Sequence, residues 1–190
     1  VILGPWPFVS DLRTGSFSGG GGEEAVLSAA AAQVINHYGL VSSVGAGMTD
    51  SKSPDNQAGY EKGITVALAA LAGCNNVSES AGMVGSLMGC SYEAVVIDND
   101  MLGNVLRAVR GIEVNEETLS YKVIDEVVHG EGHFLRQPQT LDLMLSEYAY
   151  PGLADRSTPS EWEEEGSPDM RKRAAERAHE ILSSHYPEYI

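Results

Sequence analysis

The feature that most limits what this chain can become is a repeated run of apolar strand, polar loop and helix. Residues 1–9 are apolar, with Pro5 and Pro7 restricting ladder pairing, and read as a short strand. Residues 10–22 are a loop that closes in a run of four glycines. Residues 23–38 read as a helix: Glu23 and Glu24 complement the dipole of its first turn, alanines fill its body, and Gly39 stops it. Residues 40–45 form a second strand and 46–57 a polar loop with Pro54. A second helix follows over 58–72, ended by Gly73, and a third strand over 75–80.

The strands are nearly continuous in small or apolar residues, as expected when both sheet faces are covered. Alternating units of this kind predict parallel strands with right-handed crossovers. An open doubly wound sheet and a (β/α)8 barrel both fit. The glycine run over residues 19–22 has neither GxGxxG spacing nor a following Walker lysine, so it carries no dinucleotide or P-loop signature. A complete barrel takes roughly 250 residues, so the barrel reading expects further units before Val1, where the chain opens within an apolar strand and without a Met. Beyond the third strand, residues 83–111 read as a long helix, with Val95, Val96, Met101, Leu102, Val105, Leu106 and Val109 near helical spacing. Residues 115–128 read as another, opened by Asn115. Residues 130–166 read as a polar wrap and 170–184 as an amphipathic terminal helix.

Charge narrows the partners. Asp and Glu number 27 against 12 Lys and Arg, a net −15. A nucleic-acid binder needs a basic face, and this chain has few cations from which to build one. No apolar run reaches membrane-spanning length, and the N-terminus lacks the basic region of a signal peptide. Cys74 and Cys90 lack CxxC spacing and are too few for a disulfide framework, so free thiols and a cytoplasmic location are expected. Both read as small core fillers.

In parallel α/β folds the chemistry sits on the loops after the strands. The first loop carries Asp11 and Arg13, the second Asp50, Lys52 and Asp55, and the third Glu79. Each acid alone is more simply a turn or cap residue, but four of them converge on one predicted rim. Glu79 stands out because an acid inside a buried strand needs a partner or a task. The cluster His129, Glu131, His133 matches neither HExxH nor finger spacing and reads as a glycine-rich loop; no metal is expected. Asp98, Asn99 and Asp100 lack the Gly and Glu of an EF-hand loop and read as caps or surface residues.

Longer strings carry more information. Asp11-Leu12-Arg13-Thr14-Gly15, Gly45-Ala46-Gly47-Met48-Thr49-Asp50-Ser51-Lys52, and Pro54-Asp55 with Gln57-Ala58-Gly59-Tyr60-Glu61-Lys62-Gly63 resemble the trimethylamine:corrinoid methyltransferase family. So do Ser80-Ala81-Gly82-Met83, the Arg-Gly-Ile-Glu-Val core within residues 107–114, and Gly132-His133-Phe134-Leu135. The resemblance runs in register over nearly the whole chain and is to the C-terminal portion of the family's longer proteins. It implies an α/β fold that is the C-terminal part of a (β/α)8 TIM barrel with additional C-terminal helices. Residues 1–135 would be its last βα units with following helices, and 136–190 a wrap and terminal helix of the same domain.

The family moves a methyl group from a methylated amine to the Co(I) centre of a separate corrinoid protein. The resemblance thus implies a corrinoid (cobalamin) carried by a partner, with no tightly bound cofactor on this chain. Archaeal trimethylamine-specific members carry pyrrolysine, at a position expected within this region. This chain has standard residue types only, so it resembles the non-pyrrolysine branch, which includes glycine betaine methyltransferase. A quaternary ammonium suits that branch, because its methyl leaves behind a neutral tertiary amine and needs alignment and dryness but no general acid. Carboxylates and aromatic faces would hold such a cation. Candidates on the predicted rim are Asp50, Asp55, Glu61 and Glu79 with Tyr60 and Tyr92, and Arg13 or Lys52 would meet a substrate carboxylate. Tyr60 and Glu61 read equally well as residues that merely open a helix. A pyrrolysine-free trimethylamine enzyme and a barrel that binds cations without turnover are the competing readings. No nucleic-acid or membrane partner is expected, a homo-oligomer is possible, and the isolated 190 residues are expected to lack full activity.

Overall fold

The computed structural model describes residues 1–130 and 132–188. Its elements in chain order are β1 (Ile2–Leu3), β2 (Val9–Ser10), β3 (Phe17–Ser18), α1 (Gly22–His37), β4 (Val41–Gly45), α2 (Asn56–Leu71) and β5 (Asn76–Ser78). These are followed by β6 (Met83–Val84), β7 (Gly89–Cys90), α3 (Tyr92–Arg110), α4 (Tyr121–Val128), α5 (Pro138–Leu143), α6 (Pro159–Glu164) and α7 (Met170–Ser184). No helix among the described residues is long and apolar enough to cross a membrane.

The alternation of strand and helix is α/β, as the sequence predicts. β1, β4 and β5 form a parallel sheet in that spatial order, with Ile2 opposite Val41 and Val44 opposite Val77. α1 links β1 to β4 and α2 links β4 to β5. The two helices pack on each other, and both approach the sheet. Small residues permit this close approach: Ala32 of α1 and Val66 and Ala69 of α2 meet Val44 and Ala46 in one buried cluster. Burial of Val44 alone contributes about 1.5–3 kcal/mol. Successive strand residues face opposite ways, so Ser43 lies on the other face. There the Asn76 amide donates to Ser43 Oγ at 2.9 Å, and the Ser43 and Ser78 hydroxyls lie 3.3 Å apart.

Five expectations change. Residues 1–9 do not form one strand: pairing stops at Leu3, ahead of Pro5 and Pro7, and Val9–Ser10 turns instead into an antiparallel hairpin with Phe17–Ser18. Residues 83–91 are not helical. β6 and β7 form a hairpin whose turn residues Gly85, Ser86 and Leu87 all have positive φ. Its backbone is held by Gly85 N–H to the Ser51 carbonyl (2.7 Å) and Ser86 N–H to the Thr49 carbonyl (2.8 Å). Asn115 does not open a long helix. Its side chain accepts from the Glu117 and Thr118 amides in a local turn, and the left-handed Ser120 delays α4 to Tyr121. Among its described residues the wrap over 130–166 contains two short helices, one of them opened by a Thr158–Glu161 capping box. Cys74 packs beside the core cluster, whereas Cys90 is exposed and is not a core filler.

The chain divides into two compact units, residues 1–105 with 151–190, and residues 106–150. In the first, the Asp100 carboxylate accepts from the Gly152 and Ala154 amides at 2.8 and 3.0 Å, which ties the returning chain to α3. In the second, Arg107 and Arg110 converge on the Glu147 carboxylate at 3.0 and 3.1 Å. Val127 is the one buried hydrophobic residue among its described residues.

Candidate functional site

The loop after β4 carries the buried Thr49 and Ser51 and bonds to the buried Glu61 of α2. Gly45 ends the strand, and the backbone through residues 46–51 is buried except at Asp50, which is half-buried. Asp50 Oδ1 accepts from the Gly19 amide at 2.8 Å and from the Ser86 hydroxyl, and Oδ2 accepts from the Ser18 hydroxyl at 2.5 Å. One carboxylate therefore joins the glycine-rich loop, the β4–α2 loop and the β6–β7 hairpin. Burial works against its charge, but these hydrogen bonds and the field of Lys52 prevail and hold it below the ordinary carboxylate value.

Glu61, on the first turns of α2, is buried. Its Oε2 accepts from the Thr49 hydroxyl at 2.5 Å and the Asp50 amide at 2.8 Å, and its Oε1 from the Gln57 amide at 2.9 Å. The glycine run now has a physical reason. A Cβ on Gly20 would lie 2.6 Å from Thr49 Cα and 2.8 Å from Glu61 Oε2, so only glycine lets that loop seat on the acids.

Glu24 is the member that sequence reading missed, because an acid in a first helical turn looks like an exposed dipole partner. It is 0% exposed. The Ser28 hydroxyl lies 3.5 Å from its Oε1 and 3.1 Å from the Gly45 carbonyl, and has one proton to give. Its Oε2 has no hydrogen-bond partner among the described residues. The available signal was the spacing of Glu24 and Ser28, four apart on one helix face. Burial pushes the Glu24 carboxyl up to about 8, opposed by Ser28 and reinforced by the negative field of Asp50.

This has a measurable consequence. Between the ordinary value of 4.5 and about 8, the folded chain keeps a proton that the unfolded chain has lost. Stability from this group is therefore full below that window, declines as pH rises through it by up to about 1.4 kcal/mol per pH unit, and levels off above it. Thermal unfolding from pH 5 to 9 should show Glu24→Gln gaining on the parent as pH rises. Parallel curves would mean that Glu24 is ionised when folded.

The other rim candidates are dispersed. Asp55 is the N-cap of α2 and accepts from the Ala58 amide at 3.0 Å. Glu79 lies one residue beyond β5, exposed and in left-handed geometry (φ 61°), so it is not an acid inside a buried strand. Tyr60 and Tyr92 are 64% and 65% exposed on the outer faces of α2 and α3. Arg13 pairs with Asp11 at 2.6 Å on an exposed loop, and Lys52 Nζ donates to the Asp50 carbonyl at 2.8 Å. Of the eight, the structure brings together Asp50, Glu61 and Lys52.

A cleft of about 830 Å³ lies nearby, lined in part by Asp55, Gln57, Lys62, Asp98 and Arg171. Both helix N-termini that open onto it, those of α2 and α7, are already capped by Asp55 and Asp169. In its wall, the buried Lys62 ammonium donates to Asp98 at 2.5 Å, and Asp98 also accepts from the Gly82 amide at 2.7 Å. Asp98 is thus neither a cap nor a surface residue. Glu131 of the histidine-flanked stretch lies outside the described residues; His129 Nδ1 is 3.0 Å from the Asp125 carbonyl.

Residues 1–189 match the family model described as trimethylamine methyltransferase. The chain belongs to that family. It is 37% identical to a glycine betaine methyltransferase of Desulfitobacterium hafniense strain Y51, over 98% of this chain and 39% of the relative. It is 42% identical to a trimethylamine methyltransferase of Methanosarcina thermophila, over 92% of this chain and 36% of the relative. A trimethylamine methyltransferase of Desulfitobacterium hafniense strain DCB-2 is 34% identical over 99% of this chain and 37% of the relative. The chain thus spans less than two fifths of the length of these relatives.

Proposed function

We propose that this chain serves a methyltransferase that moves a methyl group from a methylated amine, in the leading reading a quaternary one, to the Co(I) corrinoid of a partner protein. The observation that carries the reading is family membership over residues 1–189. The partner's corrinoid supplies the nucleophile; as the methyl leaves, the C–N electron pair stays on nitrogen and a neutral amine departs. A quaternary substrate therefore asks this chain for binding, alignment and exclusion of water rather than for an acid. The loop after β4 suits that demand. Asp50 and Glu61 supply negative charge on a rigid, hydrogen-bonded frame, and Lys52 beside them is placed to meet a substrate carboxylate. Asp55, Tyr60, Glu79, Tyr92 and Arg13 would contribute at the periphery.

Two features support a (β/α)8 barrel over a doubly wound sheet. The parallel strands follow one another in chain order, β1-β4-β5, with no reversal. α1 and α2 also pack together, as helices on one face of a continuously wound sheet do. The net −15 favours a cationic substrate and disfavours nucleic acid. A cytoplasmic enzyme fits this reading.

Methyl transfer to a corrinoid protein should be followed with glycine betaine, carnitine, choline and trimethylamine as donors. Turnover of one quaternary amine is expected, with Asp50→Asn raising its KM roughly five- to tenfold, the effect of one partly screened charge. Turnover of trimethylamine alone would overturn the quaternary reading. Saturable binding with no methyl transfer would identify a cation-binding protein without turnover.

A further inference from the structure

Tyr60 and Tyr92 are not the only aromatic groups near this rim. Trp6 and Phe8, just beyond β1, and Phe17, in β3, form a connected set. The Trp6 and Phe8 rings meet edge-on with centroids 6.4 Å apart, and Phe8 and Phe17 are tilted at 4.8 Å. Trp6 lies over the end of β4: a Cβ on Gly45 would sit 3.4 Å from its Cδ2 and 3.3 Å from Met48 Cε. A Cβ on Gly19 would sit 3.6 Å from both Phe17 Cε1 and Met48 Cβ. Gly45 and Gly19, each with buried Met48 as a neighbour, thus mark the two ends of the set.

Three large rings are anchored on one side, yet each keeps more than a third of its surface open: Trp6 37%, Phe8 36% and Phe17 41%. The residues that follow Phe17 lead directly to an acid, since the Ser18 hydroxyl and Gly19 amide both donate to Asp50. Ring faces carry negative potential. On the segment that leads to a carboxylate held in its charged form, they are a poor seat for an anion and a good one for a weakly hydrated cation.

We propose that Trp6, Phe8 and Phe17 form an aromatic face that receives the methylated ammonium head of the substrate, with Asp50 supplying the balancing charge. The identity of the ligand rests on the methylated-amine reading above; the assignment of these rings as its seat is new. A quaternary ammonium spreads its charge over methyl groups, which bury against ring faces at little desolvation cost. A neutral molecule of the same shape gains the apolar contact but not the electrostatic one.

The test compares choline with its neutral isostere 3,3-dimethylbutan-1-ol by calorimetry and by the indole N–H resonance of Trp6, assigned through its loss in Trp6→Phe. Choline is expected to bind saturably and shift that resonance, with the isostere at least about tenfold weaker. Trp6→Leu should weaken choline binding roughly tenfold, and Trp6→Phe by less, as a partly desolvated cation–π contact predicts. Phe17→Leu provides a second variant if Trp6→Leu fails to fold, and Trp162→Leu, on α6, should leave binding unchanged. Equal binding of the two probes, or unchanged choline binding in the folded Trp6→Leu and Phe17→Leu variants, would overturn the proposal. Methyl transfer with an unaltered KM in Trp6→Leu would remove the aromatic seat and leave the transferase reading intact. The expected binding pattern without methyl transfer to any corrinoid protein would do the reverse.

Discussion

Asp98→Ala is expected to lower the free energy of unfolding by about 3–5 kcal/mol, because it strands the Lys62 ammonium in the interior. The Lys62 and Asp98 side chains are 2% and 5% exposed, so water cannot take over the lost contact. Burial pushes the Asp98 carboxyl up, and the Lys62 ammonium and the Gly82 amide bring it part of the way back. The pair joins α2 to α3 and pins the backbone at Gly82, so its loss should also loosen the loop that follows β5. The double variant Lys62→Met with Asp98→Leu removes both charges and should recover most of the loss. Urea unfolding of the parent and the two variants measures this; a cost below about 1 kcal/mol for Asp98→Ala would mean that the pair is hydrated.

Gly47→Ala should be nearly as damaging, and for a different reason. Gly47 has φ 89°, a conformation that L side chains rarely adopt, and a Cβ there would meet Ser80 Cα at 2.7 Å and the Ser80 carbonyl oxygen at 2.8 Å. The obstructing atoms are backbone, so the β4–α2 loop and the segment after β5 must part. Strain and overpacking together cost about 2–4 kcal/mol. The Gly47 amide also donates to Thr65 Oγ1 at 3.0 Å, so the displacement would reach α2. We expect a lowered melting temperature together with lost amine binding. A variant with the parent's stability and affinity would show that this loop is not held rigid.

How much of this was legible depends on the range of the interaction concerned. α1, β4 and α2 were readable because their signals are local: first-turn acids, alanine bodies, glycine stops and a short β-branched run. The hairpin of β6 and β7 was not, because the true helical spacing from Val95 to Val109 was carried back over residues 83–91, where the forces that bend the chain are bonds from Gly85 and Ser86 to residues 51 and 49. The site divides in the same way. Asp50 and Glu61 could be named from their place after a strand and from the family strings around them. Glu24 could not, since its burial comes with the packing of α1 against β4, nor could Asp98, whose partner is 36 residues away.

On the proposed function, the way Asp50 and Glu61 are held would also bear on which amines are welcome. Each carboxylate already receives three hydrogen bonds, against roughly four acceptor positions for such a group. A protonated tertiary amine arrives with an N–H that must find an acceptor or go unsatisfied on leaving water, a loss of about 1–3 kcal/mol. A fully methylated nitrogen brings no such proton and is drawn by the field alone. The loop would thus discriminate by having few lone pairs left to offer.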